Sequence, residues 1–433
     1  MDNELKQRAV EETHSRTPFI CACALFCGLY VLRELIGIGI SYYIIYAVAA
    51  AIVLTSRLEE CIAFILGIST FANAGFTGVF CTLLLGCVCI RFFIYYKTLR
   101  IASVMLLLMC VLEVFHFVAG SHDLTGELIT YVTSVLCLLI IQRYPYNKVD
   151  ADLVVNTVIA FSLFFVLMTI ARVSVRMGSL GALIRTGFRD KAYDELAKGG
   201  GFIGNQNFVT SNCSLNLSLC LTMILNKRKK LPYLLAMAVF LFAGFLTISK
   251  MFVAVIIAVA VFLVLVRSKK NILHGVGALM LVGMLLVVVN KLFGNTLLKM
   301  LEMRFERGDL TTGRVDIIED MFAYMEAHPF RYLVGLSILG TYNFINMGVH
   351  SSLFEVIGGW GYLGLLIVLV YMWSLVSAAA LETRRNNGRI PIHNWIPLIM
   401  YLGYSVIGML FSSGMAMIRM MVCIYALQLK EKE

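Results

Sequence analysis

An all-α bundle of membrane-crossing helices is the fold this sequence predicts, and three observations predict it. Apolar residues make up 60% of the 433-residue chain and charged residues only 14%. Mean hydropathy is +0.86. Long apolar runs succeed one another with short basic clusters between them, as in polytopic membrane proteins. Backbone polar groups in lipid must be satisfied within the segment itself, so such runs are helices. A bundle of this kind grows by adding spans, so residues 1–433 are expected to form one domain.

The elements follow in order. A lead-in of mixed sign (Asp2, Glu4, Lys6, Arg8, Glu11, Glu12) is unlike a signal-peptide n-region and precedes a first span at 19–37. Runs at 40–55 and 58–73 are short for a perpendicular helix, which needs about 20 residues, so re-entrant or tightly packed pieces also fit them. Next come 76–96, stopped by Lys97 and Arg100; 99–118; 124–141, stopped by Arg143 and Lys148; and 153–175. After a polar stretch at 176–205, the runs 206–225 and 231–248 flank Lys227-Arg228-Lys229-Lys230, and 251–266 ends at Arg267-Ser268-Lys269-Lys270. A run at 272–290 leads into the long polar segment 291–350. The runs 351–377, 393–411 and 413–429 complete a bundle of about 12–14 spans, with Arg384, Arg385 and Arg389 after the first of these three.

The basic clusters orient the spans. Placed in the cytoplasm by the positive-inside rule, they put both termini there and leave 176–205 and 291–350 as extracytoplasmic loops. Much of the net charge of +10 lies in these clusters, so nucleic acid is not an expected partner. The twelve cysteines sit in apolar runs and read as packing residues, without zinc-ligand spacing. No metal or cofactor is expected. Asp316, Glu319 and Asp320 share a helix face near its start, which is better read as solvated than as a metal site.

Ionisable residues within the spans gather toward their outer ends: Arg33, Glu34, Glu113, His116, Arg172, Lys250, Glu355 and Arg419. Facing lipid at mid-helix, each would cost about 2.5–3.5 kcal/mol, so a polar chamber opening outward is expected. Individually, Arg33, Glu34, Glu113 and His116 also read as structural pairs. Near the chamber, Thr311-Thr312-Gly313-Arg314 precedes Val315, Ile318, Phe322 and Met325, whose spacing predicts an amphipathic helix that stops at Pro329. Its free N–H groups and the Arg314 guanidinium suit a phosphate. The competing reading is a capped interfacial helix with Arg314 solvated. His350, one turn before Glu355, is suited to accept a proton from a hydroxyl, and reads equally as an interfacial histidine. Gly199-Gly200-Gly201 is a candidate hinge.

Residues 200 to 365 resemble the O-antigen ligase and O-antigen polymerase family of membrane proteins. Gly204-Asn205-Gln206-Asn207 resembles the family's Gly-x-Pro-Asn entry to a span, with Gln206 in place of proline. Ser249-Lys250 falls where the family has Ser-Arg. Gly313-Arg314, Ala327-His328-Pro329 with Gly335, and His350 with Gly361 and Gly364 follow the later pattern, Ser351 replacing asparagine.

The resemblance implies a metal-independent glycosyltransferase of the bacterial inner membrane, using a polyprenyl-pyrophosphate-linked oligosaccharide donor on the outer face. It implies that Arg314 and Lys250 hold the pyrophosphate and that His350 is the base. Lysine lacks arginine's bidentate fork, so Arg172, Arg185 or Arg419 is expected to share the load, with Asn207 and Glu355 also in the substrate site. A polymerase would extend the glycan onto the next lipid-linked repeat. A ligase would transfer it to a lipid A core or other acceptor, and a transporter would only move the lipid-linked sugar. No paired halves with interrupted helices favour the transporter. A chain-length regulator or flippase is a candidate partner.

Overall fold

The computed structural model describes residues 15–71, 78–92, 100–189, 206–227, 229–267, 314–341, 351–405 and 414–431, with isolated positions between, and the regular elements among them are helical. The first described helix is α1 (Thr17–Tyr30), which runs into a π turn over Val31–Leu35, and α2 (Tyr42–Thr55), α3 (Leu58–Ile68) and α4 (Gly78–Phe92) follow. Then come α5 (Ile101–Val118), α6 (Thr125–Ile141), α7 (Ala151–Arg176) and the short α8 (Leu180–Thr186). The next three are α9 (Gln206–Asn226), α10 (Leu231–Leu246) and α11 (Lys250–Arg267). The later segment contributes α12 (Arg314–Ala327), α13 (Phe330–Val334), α14 (Ser352–Asn387), α15 (Ile396–Ser405) and α16 (Gly414–Ala426).

Local chemistry sets many starts. Ser41 caps α2 by accepting the Tyr43 N–H, Asp150 caps α7 by accepting from Asp152 and Leu153, and Ser179 caps α8 by accepting from Ala182. Pro18 and Pro232 occupy first-turn positions of α1 and α10, where no amide donor is needed.

Among the described residues, five helices are long and apolar enough to cross a membrane: Thr17–Leu35, α5, α7, α9 and Ser352–Asn386 within α14. Shorter apolar helices at α2, α4, α6, α10, Lys250–Val259 and Met417–Ala426 pack among them. Successive elements run up and down between two ends. At the basic end Arg16 pairs with Asp150 at 2.7 Å and Lys227 with Asp152 at 2.6 Å. Here too Asn226 donates to Asn394 at 2.7 Å, and Asn394 donates to the carbonyls of Leu427 and Leu429. The chain's start, its end and the turn before α15 are thereby held together. The opposite, loop end carries the π turn, the finish of α5, the turns around Gly187 and Ile248, residues 330–341 and the start of α14.

The core lies around α7, which packs on α3, α9, α10 and α16. Rings of Phe26, Phe64, Phe71 and Phe161 interlock where α1, α3 and α7 meet. In lipid such packing stabilises through dispersion contacts rather than water expulsion. The last helix, α16, is buried on every side from Met417 to Ala426. A helix apolar all round is one enclosed by others.

Residues 314–327 form the expected helix, and Asp316, Glu319 and Asp320 are exposed on it. Its buried stripe differs from the expected one. Ile317, Met321 and Met325 are buried, whereas Val315 is 45% exposed and Ile318 and Phe322 flank the stripe. The sequence offers two apolar stripes about 100° apart or less, and the surface presented by Leu336 and Ile357 selects one.

Candidate functional site at the loop end

Apart from Lys250, the ionisable residues singled out in the spans fall into three clusters among the described residues, two of them closed. In the first, Glu34 accepts from Arg172 at 2.6 Å, from Arg33 Nε at 3.1 Å and from Tyr42 Oη at 2.7 Å. The Arg33 guanidinium also lies over the Tyr42 ring, 3.7 Å from its centroid, and donates to the Ile40 carbonyl. The π turn sets Arg33 and Glu34 side by side at the end of α1, and α7 delivers Arg172 to them.

The second cluster surrounds Glu113, fully buried on α5. Oε1 accepts from the Ser337 hydroxyl and the Leu339 N–H at 3.1 Å; Oε2 accepts from the Ile338 N–H at 3.2 Å and Trp360 Nε1 at 2.7 Å. His122 Nε2 lies 3.4 Å from Oε1. His122 Nδ1 accepts the Leu124 N–H, so Nε2 carries the hydrogen and faces the carboxylate without closing a hydrogen bond to it. One helical turn on, His116 Nε2 donates to the Val334 carbonyl at 2.8 Å, which leaves Nδ1 to accept from Ser121, 3.4 Å away. Glu113 and His116 therefore bind protein groups rather than line a hydrated chamber. A buried charge is tolerated only where donors saturate it, and this carboxylate faces donors on both oxygens.

That saturation holds residues 335–341 against α5 and α14. The Leu336 and Ser337 N–H groups donate to the carbonyls of Gly358 and Gly359, both at 2.7 Å. Close approach depends on glycine. Gly335 has φ +77°, and a Cβ there would lie 2.3 Å from the Gly359 carbonyl carbon; Gly361, at φ +67°, breaks the line of α14 against Leu333. The turn also holds Ser337 at φ 92°, a conformation uncommon for a residue with a side chain.

The third cluster lies between α9, α14, α15 and α16. Arg419 is 5% exposed on the buried helix α16. Side chains lean toward their helix's N-terminus, so its guanidinium reaches toward the loop end, 4.6 Å from the centroid of the Phe208 ring. Its Nε and Nη1 are buried without hydrogen-bond partners among the described residues. Glu355, 4% exposed, accepts the Phe411 N–H at 3.0 Å. The ring of Phe411 lies 6.5 Å from that of Trp360, joining this cluster to the Glu113 cluster. Tyr401 is buried within electrostatic reach of both Arg419 and Glu355. Tyr404 Oη donates to the Asn207 carbonyl at 3.0 Å.

Among the residues singled out from sequence, Arg419, Glu355 and Asn207 thus share one region. Arg172 is elsewhere, in contact with Glu34. Lys250 opens α11 half-buried, after Ile248 at φ 48°, and Arg185 is exposed on α8. Arg314 opens α12, but its side chain, His350, Gly204, Asn205 and the 199–201 glycines lie outside the described residues.

Sequence reasoning missed Ser337, Trp360 and His122 as partners of Glu113, and Tyr401 and Phe208 beside Arg419. A signal existed for Trp360. A tryptophan among Gly358, Gly359 and Gly361 inside a span needs an acceptor for its indole N–H, and Glu113 is a carboxylate available in another span. No protein-family model matches the chain, and no curated protein is similar to it.

Proposed function

We propose that the protein is a surface-polysaccharide polymerase of the bacterial inner membrane, with the loop end outside and both termini in the cytoplasm. It would transfer a polyprenyl-pyrophosphate-linked glycan to a hydroxyl of the next lipid-linked repeat. One arrangement supports this reading above the others: Lys250, Arg185 and the polar cluster around Arg419 and Glu355 lie at the end of the bundle where residues 330–341 dock. The clusters that the positive-inside rule puts in the cytoplasm lie at the other end. Cations beside a bilayer surface suit a diphosphate whose hydrocarbon tail stays in lipid.

In the proposed reaction, the acceptor oxygen forms a bond to the anomeric carbon as the bond from that carbon to the diphosphate oxygen breaks. The diphosphate leaves with the electron pair, its charge balanced by Arg314 and Lys250. The hydroxyl proton passes to His350. The motif resemblance across residues 200 to 365 supplies these roles.

The test is reconstitution of the purified chain with one lipid-linked repeat unit and no other acceptor. A ladder of products is expected. Product only after addition of a core acceptor would make the protein a ligase, and no product in either case would remove the glycosyltransferase reading. His350→Ala should abolish turnover, while full activity in that folded variant would remove the base assignment. Arg314→Ala should raise the donor concentration needed for saturation.

A further inference from the structure

Arg419 stands apart from the other cations of the loop end. Arg33 and Arg172 share Glu34, and Arg185 is exposed. Arg419 is enclosed on a helix otherwise apolar over Met417 to Ala426, and its Nε and Nη1 are buried without acceptors among the described residues. Orphaned buried donors on a cation are costly enough that they mark a place where an acceptor belongs. The surroundings fit a ligand more than a packing role. Phe208 covers one face of the guanidinium, and Tyr401 lies within electrostatic reach of it.

This place differs from the start of α12. That helix docks on the stripe of α14 formed by Phe354, Ile357 and Gly358. Glu355 lies beside that stripe, roughly 100° round α14 from Phe354 and 60° from Gly358, with its carboxylate accepting from Phe411. A polymerase that joins two lipid-linked repeats must accommodate two diphosphates, one leaving and one remaining on the acceptor lipid.

We propose that Arg419, with Phe208 and Tyr401 around it, is a second oxyanion-binding position, occupied by the diphosphate that the acceptor lipid retains. The proposal rests on the polymerase reading for its occupant. The orphaned guanidinium is independent of that reading. Arg419 is buried, so the position favours an anion brought in on a tail over one diffusing freely from water.

Equilibrium binding of radiolabelled farnesyl diphosphate to the detergent-solubilised full chain tests this, with inorganic pyrophosphate in a parallel arm. Two equivalents of farnesyl diphosphate per chain are expected for the wild type, and one for Arg419→Gln. Arg419→Lys should keep the second equivalent at about tenfold weaker affinity, because charge remains without the planar fork. Arg176→Gln, at an exposed arginine paired with Glu195, should bind as the wild type does. Inorganic pyrophosphate should compete poorly for the Arg419 position; equal competition would mean that the site recognises free diphosphate, and would overturn the acceptor-lipid assignment. A single equivalent in the wild type, or two unchanged equivalents in folded Arg419→Gln, would overturn the site itself. A single equivalent in the wild type is decisive against the site even if both variants fail to fold. Two equivalents with loss of one in Arg419→Gln, but no ladder in the reconstituted assay, would leave the oxyanion site standing and remove the polymerase reading.

Discussion

Replacing Glu113 by glutamine changes one atom's chemistry and almost no volume, yet it should be among the most damaging conservative substitutions in the chain. Four donors are hydrogen-bonded to the carboxylate, two on each oxygen, and His122 Nε2 approaches Oε1 as a fifth. A glutamine side chain keeps one acceptor oxygen and turns an NH2 toward the donors at the other. With its oxygen in the Oε1 place, the Ile338 N–H and the Trp360 indole N–H lose their acceptor; in the reverse orientation, the Ser337 hydroxyl and the Leu339 N–H do. At roughly 1–3 kcal/mol for each orphaned buried donor, two such losses destabilise by about 2–6 kcal/mol. Proteins are typically stable by about 5–15 kcal/mol, so that is a large fraction. Thermal unfolding of the detergent-solubilised protein should show a marked drop in Tm, and amide hydrogen exchange should accelerate across residues 335–341. Glu127→Gln, at an exposed residue of α6, should change neither. Adding Trp360→Phe to Glu113→Gln removes one orphaned donor, so the double variant should lose less than the sum of the singles. A Glu113→Gln protein with wild-type Tm and wild-type exchange in the turn would refute the claim that this carboxylate anchors it.

Two further outcomes are expected. Gly335→Ala and Gly388→Ala both place a side chain at positive φ, +77° and +75°, but only at Gly335 would the new Cβ meet backbone, 2.3 Å from Gly359. The strain alone is about 1–2 kcal/mol, so Gly388→Ala should yield folded protein slightly less stable, and Gly335→Ala should lose monodispersity on gel filtration. At the basic end, before α15 begins, burial pushes the His393 imidazole below its ordinary value, with Glu431 opposing in part, while Nε2 donates to Asn226 at 2.9 Å. The unfolded chain therefore binds the proton more readily. Stability from this group is intact above about pH 6.5 and falls as pH drops through the folded value. A Tm–pH profile should flatten below pH 6.5 in His393→Gln, and an unchanged profile would exclude His393 as a source of acid sensitivity.

Periodicity and apolar length were enough to place most helices, because a span is recognised from one segment at a time. Residues 206–226 and 314–327 appear as helices where the pattern put them, the second ending just before Pro329. The expectation that Arg33, Glu34, Glu113 and His116 form structural pairs was also legible, since an unpaired charge in a span is costly. Their partners were not. Glu113 and Ser337 are 224 residues apart, and Arg172 and Glu34 are 138 apart. No local pattern encodes pairings at such separations. The docked face of α12 was misread for the same reason: Val315 and Ile317 are equally apolar in sequence, and only the neighbour decides which is covered.

By itself, the chain's order of residues determined that apolar helices would be stacked side by side with basic clusters between them, because lipid demands internal hydrogen bonding and charge avoids it. Only the tertiary arrangement decided which charges are spent on one another and which is left with donors to offer. Glu34 and Glu113 are enclosed by partners from distant helices, while Arg419 is buried with two nitrogens unpartnered among the described residues. That distinction is a property of distances between helices, and it appears only once the bundle has closed.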